Sequence, residues 1–217
     1  MFSQDVINVL KNFKLINNSM LFKKGEMIQV ISPTESMLAQ VMIKQAVPAE
    51  FAIYDMHQFL IVLQMFTEEA KYTFSDTSVK IKEGRKSVTY GFCNPGIIKT
   101  PPYEDMDFPV ENKTEFKLNI ASFIKQATLL DLQDISFQVI DGKYSIMAYN
   151  KKNITSNRFV VDTGLETGVN ATVSLEKLRL FDSEEYMVTI QEPGPLITFE
   201  TVYNNLPITY YIAADEE

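Results

Sequence analysis

Phe51–Leu60 reads FAIYDMHQFL, and Ala171–Leu180 reads ATVSLEKLRL. Each opens on apolar residues that suit a strand and then meets a short polar residue, Asp55 or Ser174, of the type that caps a helix. Past the cap the apolar residues change to helical spacing: Met56, Phe59, Leu60 and Leu63 in the first stretch, Leu175, Leu178 and Phe181 in the second. His57, Gln58, Ile61 and Gln64 fall on the outer side of the first helix, Lys177 and Arg179 on that of the second. One strand-to-helix unit is therefore written twice.

The surroundings repeat as well. Ser3 or Asp5 opens an N-terminal helix with a buried stripe of Val6, Val9, Leu10 and Phe13, leaving Asn8, Lys11 and Asn12 outside and Lys14 near its end. Asn119 opens its counterpart, with Ile120, Phe123, Ile124 and Ala127 inward and Ser122, Lys125 and Gln126 outward. Strand-like runs follow each helix. In the first half two of them flank Lys24-Gly25, which reads as a hairpin, and in the second half Asp141-Gly142 is a strong hairpin dipeptide. Met37–Ile43 continues the first half as a strand, and three alternating runs from Ala70 to Phe92 close it. Strands near 158–163, 169–173, 186–191, 196–201 and 208–213 fill out the second. Internal repetition of a mixed unit implies two similar lobes, here 1–108 (with a connector from about 93) and 109–217. Pro95, Pro101, Pro102 and Pro109 bar helix or central strand from the connector, and Ile97, Ile98, Tyr103 and Phe108 make it too apolar for a free linker. It is expected to drape across the surface of both lobes.

The 217 residues are 46% hydrophobic and 22% charged, enough to bury two cores. No run approaches the roughly 20 apolar residues of a membrane helix, and Asp5 interrupts anything resembling a secretory leader. One cysteine, Cys93, excludes an internal disulfide and suits a reducing cytoplasm, so the four N-x-S/T sequons are expected to be chance matches. Residues 1–108 carry 11 basic and 12 acidic side chains, residues 109–217 carry 9 and 16, and the whole is −8. Such a surface repels nucleic acid at long range, and DNA would be bound only where the few cations share one face.

Catalytic patterns are missing. His57 is the only histidine and has no Cys or His neighbour, which argues against zinc or a histidine-based triad. Gly91 and Gly96 have P-loop spacing, yet Ile97 and Ile98 stand where Lys and Ser/Thr are required. The acidic pairs Glu68-Glu69, Asp105-Asp107 and Glu184-Glu185 sit at turns, where solvated charge is the default. No active site, metal or cofactor is expected.

Val9–Asn17 (VLKNFKLIN), Phe51–Leu60 and the repeated strand–helix order, with FKLNIASFIKQ and VNATVSLEKLRL in the second half, resemble the sliding clamps of T-even-like bacteriophages. These are DNA polymerase processivity factors that share a fold with proliferating cell nuclear antigen. The resemblance implies an α+β, duplicated DNA-clamp fold and a ring of six domains, hence a homotrimer of this two-domain chain. It implies that paired helices line the hole, with antiparallel sheets outside, and that Lys11, Lys14, Lys125, Lys177 and Arg179 face double-stranded DNA. By periodicity alone these five are simply solvated. The helix after Asp55 adds no Lys or Arg and Glu176 adjoins Lys177, so the lining is expected to be weakly basic.

The implied partners are an ATP-dependent clamp loader, the replicative DNA polymerase through a short C-terminal peptide, and late-transcription factors, all in the cytoplasm of a bacterial host. The peptide pocket is expected from Ile97, Ile98, Tyr103 and Phe108 of the connector with Tyr211 and Ile212 of the last strand; the alternative for each is core packing. A non-enzymatic phage adaptor or structural protein that recruits transcription or repair factors would have a similar sequence.

Overall fold

The computed structural model describes residues 2–101, 110–153, 155–181 and 185–215. They form two compact units, one of Met1–Glu104 with Val202–Ile208 and one of Asp105–Thr201 with Thr209–Glu217. The boundary expected at residue 108 falls outside the described residues.

In the first unit, α1 (Gln4–Ile16) starts where the Ser3 hydroxyl accepts from the Val6 N–H. It buries the expected stripe and also Ile7 and Ile16. Strand β1 (Met20–Phe22) pairs antiparallel with β4 (Phe51–Ile53), which leads into α2 (Met56–Gln64). Strands β2 (Gly25–Ile31) and β3 (Met37–Val47) pair with each other, and β5 (Lys71–Phe74), β6 (Ser78–Glu83) and β7 (Lys86–Gly91) form a meander. The expected hairpin at Lys24-Gly25 is corrected here: β1 and β2 have different partners, so the chain jogs instead of reversing. Gly25, at φ +130°, supplies a backbone that other residues rarely adopt, and the β2–β3 register shifts just beyond it.

Aromatic rings hold this unit together. Phe22 stacks on Phe51 at 4.7 Å, and Phe59 of α2 meets both edge-on at 6.2 and 6.3 Å. Burying each such ring contributes about 1.5–3 kcal/mol, and favourable ring pairs add about 0.5–1.5 kcal/mol. This fastening sets where the outer face of α2 points. After β7 the chain stays on the unit: the Cys93 N–H donates to the Ala52 carbonyl, Pro95–Ile97 form a 3-10 turn, and Lys99 reaches the Pro33 carbonyl and Glu35.

The second unit repeats the plan and adds a strand in front. β8 (Asn112–Leu118) precedes α3 (Ile120–Leu129), capped by Asn119. The sequence reading missed β8. Strands β9 (Asp134–Ile140) and β10 (Lys143–Tyr149) turn at Asp141-Gly142, both with positive φ, as the dipeptide requires. β11 (Phe159–Leu165) and β12 (Ala171–Ser174) flank that hairpin in the order β11-β10-β9-β12, and α4 (Leu175–Leu178) follows. β13 (Tyr186–Glu192) lies between β8 and β14 (Leu196–Tyr203), with β15 (Leu206–Ala213) beyond. Ile124 is only half-buried.

The duplication is exact enough to be seen in single bonds. Met56, first in α2, donates its N–H to the Asn18 carbonyl at 2.8 Å, and Leu175, first in α4, donates to the Gln133 carbonyl at 2.8 Å. Likewise Met20 pairs with Ile53 as Ile135 pairs with Val173. The segment after the long helix thus anchors the strand-to-helix turn in both units.

Candidate nucleic-acid interface

The polar side of α1 carries Lys11 and Lys14, and the polar side of α2 carries His57 and no Lys or Arg. Lys11 is exposed, with Nζ 3.4 Å from Asn8 Oδ1. Lys14 is half-buried and brings Nζ to 3.5 Å from Nδ1 of the exposed His57. Asn18 organises the turn beneath: its Oδ1 accepts from the His57 N–H at 3.1 Å and its Nδ2 donates to Asp55 Oδ1 at 3.2 Å. The Asp55 carboxylate also accepts from the Gln58 N–H, and this backbone bond, foremost, holds its pKa below the ordinary carboxylate value, with smaller contributions from Asn18 and His57. Leu15, Ile61 and Met65 are exposed on the same two helices, so this surface is sparsely charged.

In the second unit Lys125 of α3 and Arg179, just after α4, are exposed and form no ion pair among the described residues. Lys177 differs. Its Nζ donates to Asp215 Oδ1 at 2.6 Å and to the Ala213 carbonyl at 3.1 Å, with side chains 21% and 27% exposed. It is held against the C-terminal segment, and no local sequence pattern announces this.

The expected peptide-site residues separate. Ile97 is 61% exposed, while Ile98 is 6% exposed and belongs to the core of the first unit. In the second unit Ile212 is fully buried and Tyr211 half-buried, its hydroxyl pKa raised chiefly by burial. Ile98 and Ile212 are thus core side chains. Tyr103 and Phe108 lie outside the described residues. Among the described residues no group of His, Cys, Asp and Glu is placed to hold a metal, and no helix is long and apolar enough to cross a membrane.

Residues 3–91 match the model of the DNA polymerase processivity factor family. Over nearly its whole length the chain is similar to the sliding clamp of Vibrio phage KVP40, 26% identical across 98% of each protein. The sliding clamp of Enterobacteria phage T4 is 28% identical over 69% of this chain and 66% of its own. The fold is also that of PCNA from A. fulgidus, with a TM-score of 0.67 at 14% identity, covering 97% of this chain and 95% of that one. In sequence this chain is similar to the phage sliding clamps, and in fold to PCNA.

It has the α+β, duplicated DNA-clamp fold, and its relatives are processivity factors. The adaptor or structural reading is not favoured. Of the five expected cations Lys11, Lys125 and Arg179 are exposed, while Lys14 and Lys177 are half-buried. No local pattern announces the Lys14–His57 approach, since the two residues are 43 positions apart.

Proposed function

We propose that three copies of this clamp close into a ring around duplex DNA and tether the phage replicative polymerase during processive synthesis. The observation that carries this reading is that both units end a sheet in a strand paired on one side only. Among the described residues β7 pairs only with β6 and β11 only with β10. Such edges invite pairing with another chain, and an edge from one unit meeting the other unit's edge on the next copy is a contact that closes into a ring at the right angle. The seam runs near Lys86–Phe92 of one copy and Arg158–Thr163 of the next.

Lys11, Lys14, Lys125 and Arg179 face the phosphates in this reading. Few and scattered cations suit the task, because enclosure replaces affinity and phosphate contacts carry no sequence information. The polymerase is held by a short C-terminal peptide, as PCNA from A. fulgidus holds the C-terminal region of FEN-1. Exposed Ile97 on the connector is the anchor point. An ATP-dependent loader opens the ring and late-transcription factors use it, in the cytoplasm of the infected bacterium. Primer extension on a long template with loader and polymerase tests the reading: product length should rise sharply with this protein and collapse without the loader. Equal product lengths with and without the clamp would overturn it.

A further inference from the structure

The meander β5-β6-β7 turns one face to solvent. Its register sets Lys71 across from Lys82, Lys80 between Thr73 and Thr89, and Lys82 between Lys71 and Ser87. These six residues therefore share that face, and all six are exposed. Three lysines and three hydroxyls stand together without a carboxylate, on a chain of net charge −8. None of the three lysines forms an ion pair among the described residues. Lysines directly opposite one another on a sheet repel, so Lys71 and Lys82 weaken the pairing of β5 with β6 unless an anion lies beside them.

β5 is also an edge, with β6 its one partner among the described residues. At the hairpin end the Ser75 N–H donates to the Ser78 carbonyl at 2.9 Å, and antiparallel bonding alternates from there. The N–H and C=O of Tyr72 and Phe74 accordingly point to the open side. The second unit shows what such an edge accepts. There β13, the strand that follows the short helix as β5 follows α2, is covered by β8, which leads into α3. Asn119 caps α3 as Ser3 caps α1, so Phe2 is the counterpart of Leu118. Phe2 is buried and meets Tyr72 edge-on at 6.1 Å. We propose that the β5 edge and its lysine face dock an extended acidic segment of a partner protein, which adds to the meander as a fourth strand.

The unpaired N–H and C=O groups select a polypeptide backbone. Alternate side chains of the added strand stand over the exposed face beside Lys71, with Lys80 and Lys82 one strand further in, and there Asp or Glu relieves the lysine repulsion. The intervening side chains turn inward over half-buried Tyr72 and Phe74, where apolar groups fit. The face exposes no aromatic ring, so nucleobases have nothing to stack on. Nearby carboxylates leave the lysines uncompensated: Glu69 and Asp76 lie exposed in the flanking turns, and Glu83 is engaged by Lys86 and the Thr67 N–H. The opposite edge, β7, is the one assigned to the ring seam, so docking on β5 neither needs the ring nor opposes it.

A short fluorescein-labelled peptide alternating glutamate and valine is the probe, titrated into the intact protein and followed by anisotropy. It should bind saturably. The same peptide with alternate amides N-methylated keeps its charge but cannot pair along an edge, and it should bind far more weakly, as should an oligothymidylate of equal charge. Lys71→Gln together with Lys82→Gln, both at exposed positions, should weaken the parent peptide roughly threefold or more. Amide exchange at Tyr72 and Phe74 should slow on binding, and the mass of the assembly should rise only by the peptide. No binding of the parent peptide, equal binding of the N-methylated peptide or the oligothymidylate, or protection confined to β7 would overturn the proposal. The ring reading fails separately, in the mass of the peptide-free assembly and in primer extension.

Discussion

Lys125 and Lys177 carry the same charge on the same unit, yet the structure assigns them different freedom, and neutralising each in turn exploits the difference. Lys125 is exposed without an acidic partner among the described residues, while Lys177 is bonded to Asp215 at 2.6 Å. In a trimer each substitution changes three positions. If all three Lys125 side chains neutralise phosphates, Lys125→Gln lowers the log–log salt slope of duplex binding by up to about 2.7. Over a threefold rise in salt that corresponds to roughly a 20-fold difference in how far affinity falls. Lys177→Gln should change the slope far less, because the ammonium is already compensated. It should instead cost up to about 1 kcal/mol of stability, the loss expected of a partly exposed ion pair. Duplex affinity measured by fluorescence anisotropy across a salt series gives the slopes, and urea unfolding gives the stabilities. Equal slope changes for the two variants would refute the reasoning, as would a larger change for Lys177→Gln.

Other outcomes follow from burial and edges. Val160→Pro, on β11, removes a backbone donor and stiffens the edge strand, and should shift the trimer toward monomer in sedimentation velocity; an unchanged trimer moves the seam elsewhere. Gly168→Ala places a Cβ 2.6 Å from the ring of the fully buried Tyr144, whose hydroxyl donates to the Val169 carbonyl. It should cost about 1–3 kcal/mol, read as a lower urea midpoint. Ile98→Ala should cost about 2–5 kcal/mol as a core truncation, whereas Ile97→Ala should change stability by less than about 0.5 kcal/mol. Ile97→Ala should nonetheless weaken calorimetric binding of the polymerase C-terminal peptide by about 1 kcal/mol or more; unchanged affinity removes Ile97 as the anchor.

What the sequence made legible was whatever is encoded locally. Asp55 followed by Met56, Phe59, Leu60 and Leu63 specifies a cap and a stripe, and α2 has both. Asp141-Gly142 specifies a turn because few other dipeptides accept two positive φ angles. Lys24-Gly25 looked similar, but one permissive residue allows a jog as readily as a reversal, and the choice was made by β1 finding β4. β8 carries only a short period-two signal in Thr114, Phe116 and Leu118, wedged between the proline-rich connector and the Asn119 cap. Ile97 and Ile98 are chemically identical neighbours, and only the 3-10 turn decides which faces solvent. Two contacts of the candidate interface, Lys177 with Asp215 and Lys14 with His57, join residues 38 and 43 positions apart. No local periodicity reports contacts of that range.

The claim on which the rest depends is that three two-unit chains close on one another. Native mass spectrometry of the purified protein tests it most directly. A single dominant species of about 74 kDa, three times the 24.8 kDa chain, is the expected result. A dominant species at the mass of one chain or two, at concentrations where processivity is supported, would contradict the ring.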